Sequence, residues 1–307
     1  MPLQILELGK QFRPATSQIY PPFKNGKYME EYLYEYALNH KNKIETDMVF
    51  IPVFWTNLQN HPAFQKQKQN YEILLQRAFL QFPHDTNYFV IVQHDDGPQL
   101  RLPKNTTIFG ACTGTIPLPL IYEDTTNQLL LQPRREKKEL LASFVGTLTN
   151  KVRNLMVETI EAKAKENNES VKLVTKPHSD WTSSVSNSAA DLFVDLTLNS
   201  KFCLAPRGYG RSSFRFFEAM LLDTVPVYMW DDIEWLPYKD VLDYTTFSVS
   251  IQEKDVNKTM EILKSISDEK YLSMLEEIKR VRHYFTLEGM SEYIFRSVQT
   301  NKNKNLN

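Results

Sequence analysis

The feature that most constrains the fold is a repeated alternation of short apolar runs with segments of helical periodicity. In the first half, apolar runs cover Met48–Phe54, Tyr88–Gln93 and Thr107–Ala111, and helical spacing covers Lys27–Asn39 and Gln69–Leu80. Continuous apolar runs of this length are typical of strands that are buried on both faces, as in parallel sheets. The order of strand and helix therefore predicts an α/β domain with a parallel sheet.

The alternation begins again after the polar run Leu131–Glu139. Strands are predicted at Leu141–Val145, Val171–Thr175, Lys201–Ala205 and Val225–Met229, and helices at Val152–Lys165, Ala189–Leu198, Phe214–Leu222, Asp255–Ile266 and Glu269–Tyr284. We expect one domain over residues 1–135, a second over 136–290, and a final helix with a polar tail over 291–307. The predicted class is α/β, with two doubly wound Rossmann-like domains facing each other across a cleft.

Composition excludes several functions. A net charge of −1 gives no support to nonspecific binding of nucleic acid or membrane. The chain has no run of about 18 apolar residues, so we expect no membrane span. Glutamates interrupt the basic cluster Arg134, Arg135, Lys137 and Lys138, which therefore predicts a solvated linker face. The two cysteines, Cys112 and Cys203, lie in apolar sequence and indicate buried, reduced thiols.

The most informative stretch for function runs from Asn199 to Pro237. Its loop contains Gly208 and Gly210, which permit positive φ and a close approach of backbone to a ligand. Ser212 or Ser213 is a candidate N-cap for the helix that follows. A helix N-terminus favours phosphate oxygens, and guanidinium groups bind phosphate through two hydrogen bonds. Three arginines occur within nine residues here: Arg207, Arg211 and Arg215.

Arg215 and Glu218 are three residues apart, so they lie on the same side of that helix. An ordinary surface ion pair is the alternative interpretation. The surrounding apolar residues favour a buried helix, where an Arg–Glu pair is costly unless another interaction offsets its desolvation. The pattern therefore indicates a ligand site.

Four blocks of this sequence resemble the exostosin family of glycosyltransferases. They are TDMVFIPVFWTNL (46–58), NYFVIVQHDDGP (87–98), SFVGTLTNKVRNLM (143–156) and the stretch from 199 to 237, and they occur in the order found in the family. The sequence resembles short soluble members in particular, such as those of large algal viruses. Two positions depart from the family pattern: Asp223 replaces a glycine, and Asp96 replaces a tryptophan. A left-handed conformation at Asp223 is expected, because aspartate tolerates it better than most residues.

The resemblance implies an inverting transferase of the GT-B type. It would move a sugar from a UDP-sugar, with UDP-xylose as the first choice, to a hydroxyl of an oligosaccharide or glycoprotein glycan, forming a β-linkage. The implied donor site comprises Gly146, Thr147, Arg153, Arg207, Gly208, Arg211, Ser212, Ser213, Arg215 and Glu218. In it, Arg153, Arg215 and backbone N–H groups hold the diphosphate, Arg211 is a second choice, and Glu218 holds the ribose hydroxyls.

The implied base belongs to the first domain, where His94, Asp95 and Asp96 follow a strand. Asp95 is preferred, although Asp followed by Gly-Pro is equally typical of a plain turn. His178 and Asp180 are candidates for contact with the base or sugar. Asp231 and Asp232 raise the alternative of a divalent metal, but the family fold implies arginines and helix dipoles in its place, so no metal or cofactor is expected.

Two other functions remain open at this point: a retaining GT-B transferase, and a non-catalytic protein that binds nucleotide sugars and stabilises another transferase. The N-terminus has no basic leader followed by a long apolar stretch. Animal and plant members of the family usually carry an N-terminal Golgi anchor. We therefore expect either a truncated form or a soluble, cytoplasmic enzyme, with the last helix, Ser291–Val298, crossing back onto the first domain.

Overall fold

The computed structural model describes residues 1–15, 19–176 and 187–299. His178, Asp180 and the polar tail 301–307 lie outside this part of the chain. The strands are β1 Gln4–Ile5, β2 Met48–Phe50, β3 Asn87–Val92, β4 Thr106–Gly110, β5 Ile116–Pro117, β6 Leu140–Thr147, β7 Val171–Lys176, β8 Ser200–Pro206, β9 Val225–Trp230 and β10 Val249–Gln252.

The helices are α1 Met29–His40, α2 Trp55–Gln59, α3 Phe64–Phe79, α4 Lys151–Glu166, α5 Asn187–Leu198, α6 Phe214–Leu221, α7 Thr259–Ser265, α8 Asp268–Val281 and α9 Leu287–Val298. Every predicted strand and helix is present within a few residues of its expected bounds. The short elements β1, β5, α2 and β10 were not predicted, because two to five residues carry too little periodicity. No helix within the described ranges combines the length and apolarity that crossing a bilayer requires.

The chain divides into two compact units. Unit 1 comprises residues 1–17, 27–118 and 286–307. Its sheet, within the described residues, is parallel and has the order β1-β2-β3-β4-β5. Val49 and Phe50 of β2 and the apolar side chains of β3 are buried, as continuous apolar runs predict. The last helix, α9, belongs to this unit: Phe295 stacks on Tyr36 of α1 with ring centroids 5.6 Å apart.

Unit 2 comprises residues 18–26 and 119–285. Its described strands form a parallel sheet in the order β10-β9-β8-β6-β7. The chain starts at β6, moves to one side for β7, and returns to place β8 on the other side. Ligands of such doubly wound sheets bind outside the carboxyl ends of the strands where this reversal occurs. In unit 2 that point lies between β6 and β8. The α/β class with two Rossmann-like units is thus confirmed.

The boundary between the units falls near residue 118, not at the predicted 135. The reason is that the connecting segment packs on unit 2: Leu129 is fully buried in a core cluster with Phe193 and Leu222. Phe23, from the early segment 18–26, joins the same cluster. The sequence could not show this, because the segment from 119 to 139 has no periodic pattern.

Part of the basic cluster binds the end of α6, so its prediction as a wholly solvated face is wrong. Arg134 donates to the carbonyl of Leu221 at 2.7 Å and to Asp223 Oδ2 at 2.8 Å. Lys138 donates to the Asp223 carbonyl at 2.9 Å, and burial lowers its pKa to about 8. Cations at a helix C-terminus interact favourably with its dipole.

Asp223 has a φ of 49°, so the left-handed conformation expected there is confirmed. Its N–H donates to the carbonyl of Met220 at 3.3 Å, and the Thr224 N–H donates to that of Ala219 at 3.0 Å. These two bonds form a Schellman motif, which ends α6. Both sulfur atoms predicted to be buried are so: Cys112 and Cys203 are at most 2% exposed.

Candidate functional site

Arg153 connects β6 and β8, the two strands on either side of the switch point, where the order of the strands reverses. It lies in the first turn of α4, which Asn150 caps by accepting from the Val152 N–H at 2.9 Å. Its guanidinium donates to the carbonyl of Thr147 at 2.8 Å, of Arg207 at 2.9 Å and of Pro206 at 3.3 Å. Arg153 therefore joins the carboxyl end of β6 to that of β8.

The residues before Arg153 belong to the sheet and not to the predicted loop. Gly146 and Thr147 continue β6, in register with Thr175 and Lys176 of β7. A side chain at Gly146 would bring a Cβ within 2.7 Å of the Phe144 ring, so the glycine serves close packing. The backbone of these two residues is therefore extended and paired with β7.

The loop after β8 does not use the positive φ that its glycines permit, since neither Gly208 nor Gly210 lies in that region. Gly208 instead allows close approach: a Cβ there would lie 3.2 Å from Arg153 Nη2. The loop closes on itself where the Gly208 N–H donates to the Ser212 carbonyl at 3.2 Å. The loop after β8 is therefore packed tightly over the guanidinium of Arg153.

The aspartates after β9 pair with arginines of this loop. Arg207 Nη1 contacts Asp231 Oδ1 at 2.6 Å and Asp232 Oδ1 at 3.0 Å, and Arg211 Nε contacts Asp232 Oδ2 at 2.7 Å. Partial burial acts to raise the pKa of Asp232, but the hydrogen bond and charge of Arg211 and the charge of Arg207 outweigh it and hold this pKa below its ordinary value. Among the described residues, no three His, Cys, Asp or Glu side chains converge as a group that could hold a metal.

Arg211 retains capacity for a ligand. Its Nε bonds to Asp232 and its guanidinium lies over the Trp235 ring at 5.5 Å. Within the described residues its two terminal nitrogens make no other hydrogen bond, and 27% of its side chain is exposed. Arg211 is thus better placed for an anion than Arg153 or Arg207, whose donors bind protein groups.

The Arg215–Glu218 pair on α6 is buried. Arg215 Nη1 donates to Glu218 Oε2, its Nε donates to the Val145 carbonyl at 3.2 Å, and its guanidinium lies 3.8 Å from the centre of the Phe193 ring. The Glu218 side chain is 1% exposed and that of Arg215 is 16% exposed. The sequence-based expectation that the pair shares one face of a buried helix is confirmed.

A residue that the sequence did not single out completes this group. The hydroxyl of Tyr122 donates to Glu218 Oε1 at 3.0 Å. Burial, followed by the charge of Glu218, raises the pKa of Tyr122 well above its ordinary value, so it is a neutral phenol. Tyr122 lies 96 positions from Glu218, and no local pattern connects them.

The start of α6 lies in the same region. Ser213 is its N-cap by backbone conformation, with φ −147° and ψ 128°, but its side chain makes no capping hydrogen bond. Ser212 and Ser213 are both buried. Of the two predicted candidates, Ser213 is therefore the N-cap, and its hydroxyl accepts no hydrogen bond from the helix backbone.

The unit 1 candidates form a turn after β3. The Gly97 N–H donates to the His94 carbonyl at 3.0 Å, and Gly97 has a φ of 70°, which requires glycine. The Asp96 N–H donates to His94 Nδ1 at 3.2 Å. Burial lowers the pKa of His94, and the charges of Asp95 and Asp96 offset this only in part.

These contacts distinguish the three candidate side chains chemically. Because Nδ1 of His94 accepts a backbone N–H, the proton of the neutral ring is on Nε2, which can donate but cannot accept. Asp96 is exposed, whereas Asp95 is half-buried. Of the three, Asp95 therefore remains the best candidate for a base.

Two buried polar side chains, Glu30 and Gln59, form hydrogen bonds with the backbone on either side of this turn. Glu30 Oε1 accepts from the N–H of Gln93 at 3.0 Å and of Thr56 at 3.2 Å. Gln59 bonds to the Gly97 carbonyl at 3.0 Å and to the Gln99 N–H at 2.8 Å. These contacts tie α1 and α2 to the carboxyl end of β3, and they could not be read from the sequence.

Comparison with known proteins identifies the family. The model of the exostosin GT47 domain matches residues 79–266, more than half of the chain. The chain belongs to this family.

Several curated relatives carry names that describe an activity. A probable glycosyltransferase of Arabidopsis thaliana is 26% identical over 219 residues, which cover 66% of this chain and 39% of that protein. The Arabidopsis thaliana protein named probable arabinosyltransferase ARAD1 is 35% identical over 105 residues, covering 32% of this chain and 23% of its own length. The chain thus spans well under half the length of these relatives. The crystal structure of the GtfA/B complex is 10% identical, with a TM-score of 0.41, and covers 88% of this chain and 59% of that one.

Proposed function

We propose that this chain is an inverting glycosyltransferase that moves a sugar from a UDP-sugar to a hydroxyl of a glycan and forms a β-linkage. The observation that carries the proposal is the buried Arg215–Glu218 pair at the switch point of the unit 2 sheet. A buried ion pair rarely stabilises a fold by itself, so its position at a ligand-binding edge favours a binding role. Membership of the exostosin GT47 family supports the same chemistry.

The nucleotide is assigned to unit 2. Glu218 accepts hydrogen bonds from the ribose hydroxyls, and Arg211 and Arg215 neutralise the diphosphate together with N–H groups at the start of α6. Arg153 acts indirectly, because its guanidinium holds the loop after β8 in place. Arg207 acts in the same way through Asp231 and Asp232.

The proposed reaction is a single displacement. The Asp95 carboxylate takes the proton of the acceptor hydroxyl while its oxygen attacks the anomeric carbon. The bond from that carbon to the diphosphate oxygen breaks, UDP leaves, and an α-linked donor gives a β-linked product. Positive charge at the diphosphate stabilises the leaving group without a metal ion.

The donor is proposed to be UDP-xylose, and the acceptor an oligosaccharide or glycoprotein glycan. One relative is named an arabinosyltransferase, and arabinose, like xylose, is a pentose. UDP-arabinose is therefore the second donor to test, ahead of UDP-galactose and UDP-glucuronate.

A donor panel with an activity assay tests the proposal. Release of UDP from each UDP-sugar is measured with a mixture of glycan acceptors, with and without EDTA. Arg211→Ala and Asp95→Asn should each lower the rate at least tenfold, whereas Arg280→Ala and Asp85→Asn, which change exposed residues of units 2 and 1, should not. Full activity in both site variants would refute the assignment.

Two outcomes of that assay identify the alternatives. An α-linked product by NMR would show a retaining transferase. Binding of UDP without transfer to any acceptor would favour a non-catalytic partner of another transferase.

A further inference from the structure

The Glu218 carboxylate has both oxygens occupied in the structure. Arg215 Nη1 donates to Oε2 and the Tyr122 hydroxyl donates to Oε1 at 3.0 Å. Because the side chain is 1% exposed, no third donor reaches it without displacing one of these two. The two partners differ in kind, since Arg215 lies three residues away on the same helix and Tyr122 comes from the segment between β5 and β6.

The ring of Tyr122 packs against the first turn of α6. It packs on Phe214, the first residue of α6, with ring centroids 5.7 Å apart. Phe214 in turn contacts Tyr20, with centroids 5.8 Å apart. Arg215 is fixed from the other side by the face of Phe193 and by the Val145 carbonyl. Tyr122 is therefore the partner of Glu218 that can leave without disturbing the ion pair.

We infer that the Tyr122 hydroxyl competes with the ribose diol of a nucleotide for Glu218 Oε1. A phenol and a ribose hydroxyl both offer an O–H donor, so each can satisfy the same carboxylate oxygen. Tyr122 keeps the buried carboxylate hydrogen-bonded when no nucleotide is present and yields that oxygen when one binds. The inference rests on the proposed role of Glu218 in unit 2.

The competition has a consequence for turnover. A nucleotide must break the bond between Tyr122 and Glu218 before its own diol can form the replacement, so the net gain on binding is smaller than that of a new hydrogen bond. The affinity for UDP is therefore lower, which favours release of this product. Product release limits the rate of many enzymes. Competition between Tyr122 and UDP for Glu218 would therefore affect kcat.

The test is a two-by-two comparison of protein and ligand by calorimetry. The proteins are wild type and Tyr122→Phe, and the ligands are UDP and 2′,3′-dideoxyuridine 5′-diphosphate, which lacks the diol. Tyr122→Phe should bind UDP roughly tenfold more tightly, because a hydrogen bond to a charged group no longer has to be broken. The dideoxy ligand leaves the phenol in place and should bind both proteins equally.

Tyr244→Phe is the matched control. Its hydroxyl donates to the Pro237 carbonyl at 2.8 Å, and, like that of Tyr122, this hydroxyl belongs to unit 2 and donates to an oxygen of the protein. This variant should bind UDP as the wild type does. Unchanged or weaker binding of UDP by Tyr122→Phe, or an equal gain for the dideoxy ligand, would overturn the inference while leaving the proposed function intact.

A crystal structure of the wild type with UDP gives a measurement that does not depend on the variant. The expected result is a ribose hydroxyl on Glu218 Oε1 and Tyr122 Oη beyond hydrogen-bonding distance. UDP bound with the Tyr122–Glu218 bond intact would refute the inference. Failure of the wild type to bind UDP at all would instead refute the proposed function, and the inference with it.

Discussion

Replacing Arg153 by lysine separates a structural role for this residue from direct binding of phosphate. The guanidinium donates to three carbonyls, at 2.8, 2.9 and 3.3 Å, and the residue is only 9% exposed. A lysine keeps the positive charge but places one ammonium group at the end of a flexible stem, so it can satisfy only part of this set. The charge is thus conserved while the connection between β6 and β8 is lost.

The expected loss of stability follows from the number of bonds. Each hydrogen bond to a charged group contributes about 1.5–3 kcal/mol, and the bond at 3.3 Å counts for less. If lysine retains one of the three bonds, the free energy of unfolding should fall by about 2–4 kcal/mol. For a unit of this size, that corresponds to a drop of about 10 °C in Tm.

Urea denaturation and thermal unfolding measure this effect. Arg280→Lys is the control, because the Arg280 side chain is 66% exposed and, in the part of the chain that the structure describes, its ion pair is with Glu277 on the same helix. That change should alter the free energy of unfolding by less than about 0.5 kcal/mol. If Arg153→Lys unfolds like the wild type yet binds UDP more than tenfold more weakly, Arg153 is a phosphate ligand and the reasoning is wrong.

Three further predictions concern groups outside the nucleotide site. Asp223→Gly should be about 1 kcal/mol more stable than Asp223→Ala by urea denaturation, since both lose the carboxylate but only glycine accepts a φ of 49° without strain, and equal stability would contradict this. Lys138 has a pKa of about 8 in the folded protein against 10.5 normally, so the unfolded state binds more protons between those values and the stability of the wild type relative to Lys138→Met should rise with pH from 8 to 10.5; no change in that difference would refute the assignment. Burial raises the pKa of Glu30 above 4.5, so the folded state binds more protons and the wild type should lose stability relative to Glu30→Gln as pH rises from 4.5 toward neutrality, whereas a constant difference between the two would contradict the burial argument.

The strands and the central helices could be predicted because their patterns are local. Continuous apolar runs define β3 and β9, and the spacing of Arg215 and Glu218 places both on one face of α6. The left-handed Asp223 followed from the end of a helix and the conformational tolerance of aspartate. Each of these inferences needs only a few neighbouring residues.

The remaining features depend on contacts between distant parts of the chain. Arg153 was expected to bind phosphate, but its donors reach carbonyls more than fifty positions away on β8 and the loop after it. Arg134 and Lys138 were expected in solvent, but they bind the end of α6. No local sequence pattern predicts the role of Tyr122. Its contact with Glu218 depends on how the irregular segment that contains Tyr122 packs against α6.

The most direct test of the central claim is the location of UDP in a crystal of this protein. The account predicts UDP at the carboxyl ends of β6 and β8, with its diphosphate against Arg211 and Arg215 and its ribose at Glu218. Clear density for UDP elsewhere in the molecule, with these three side chains unchanged, would contradict it.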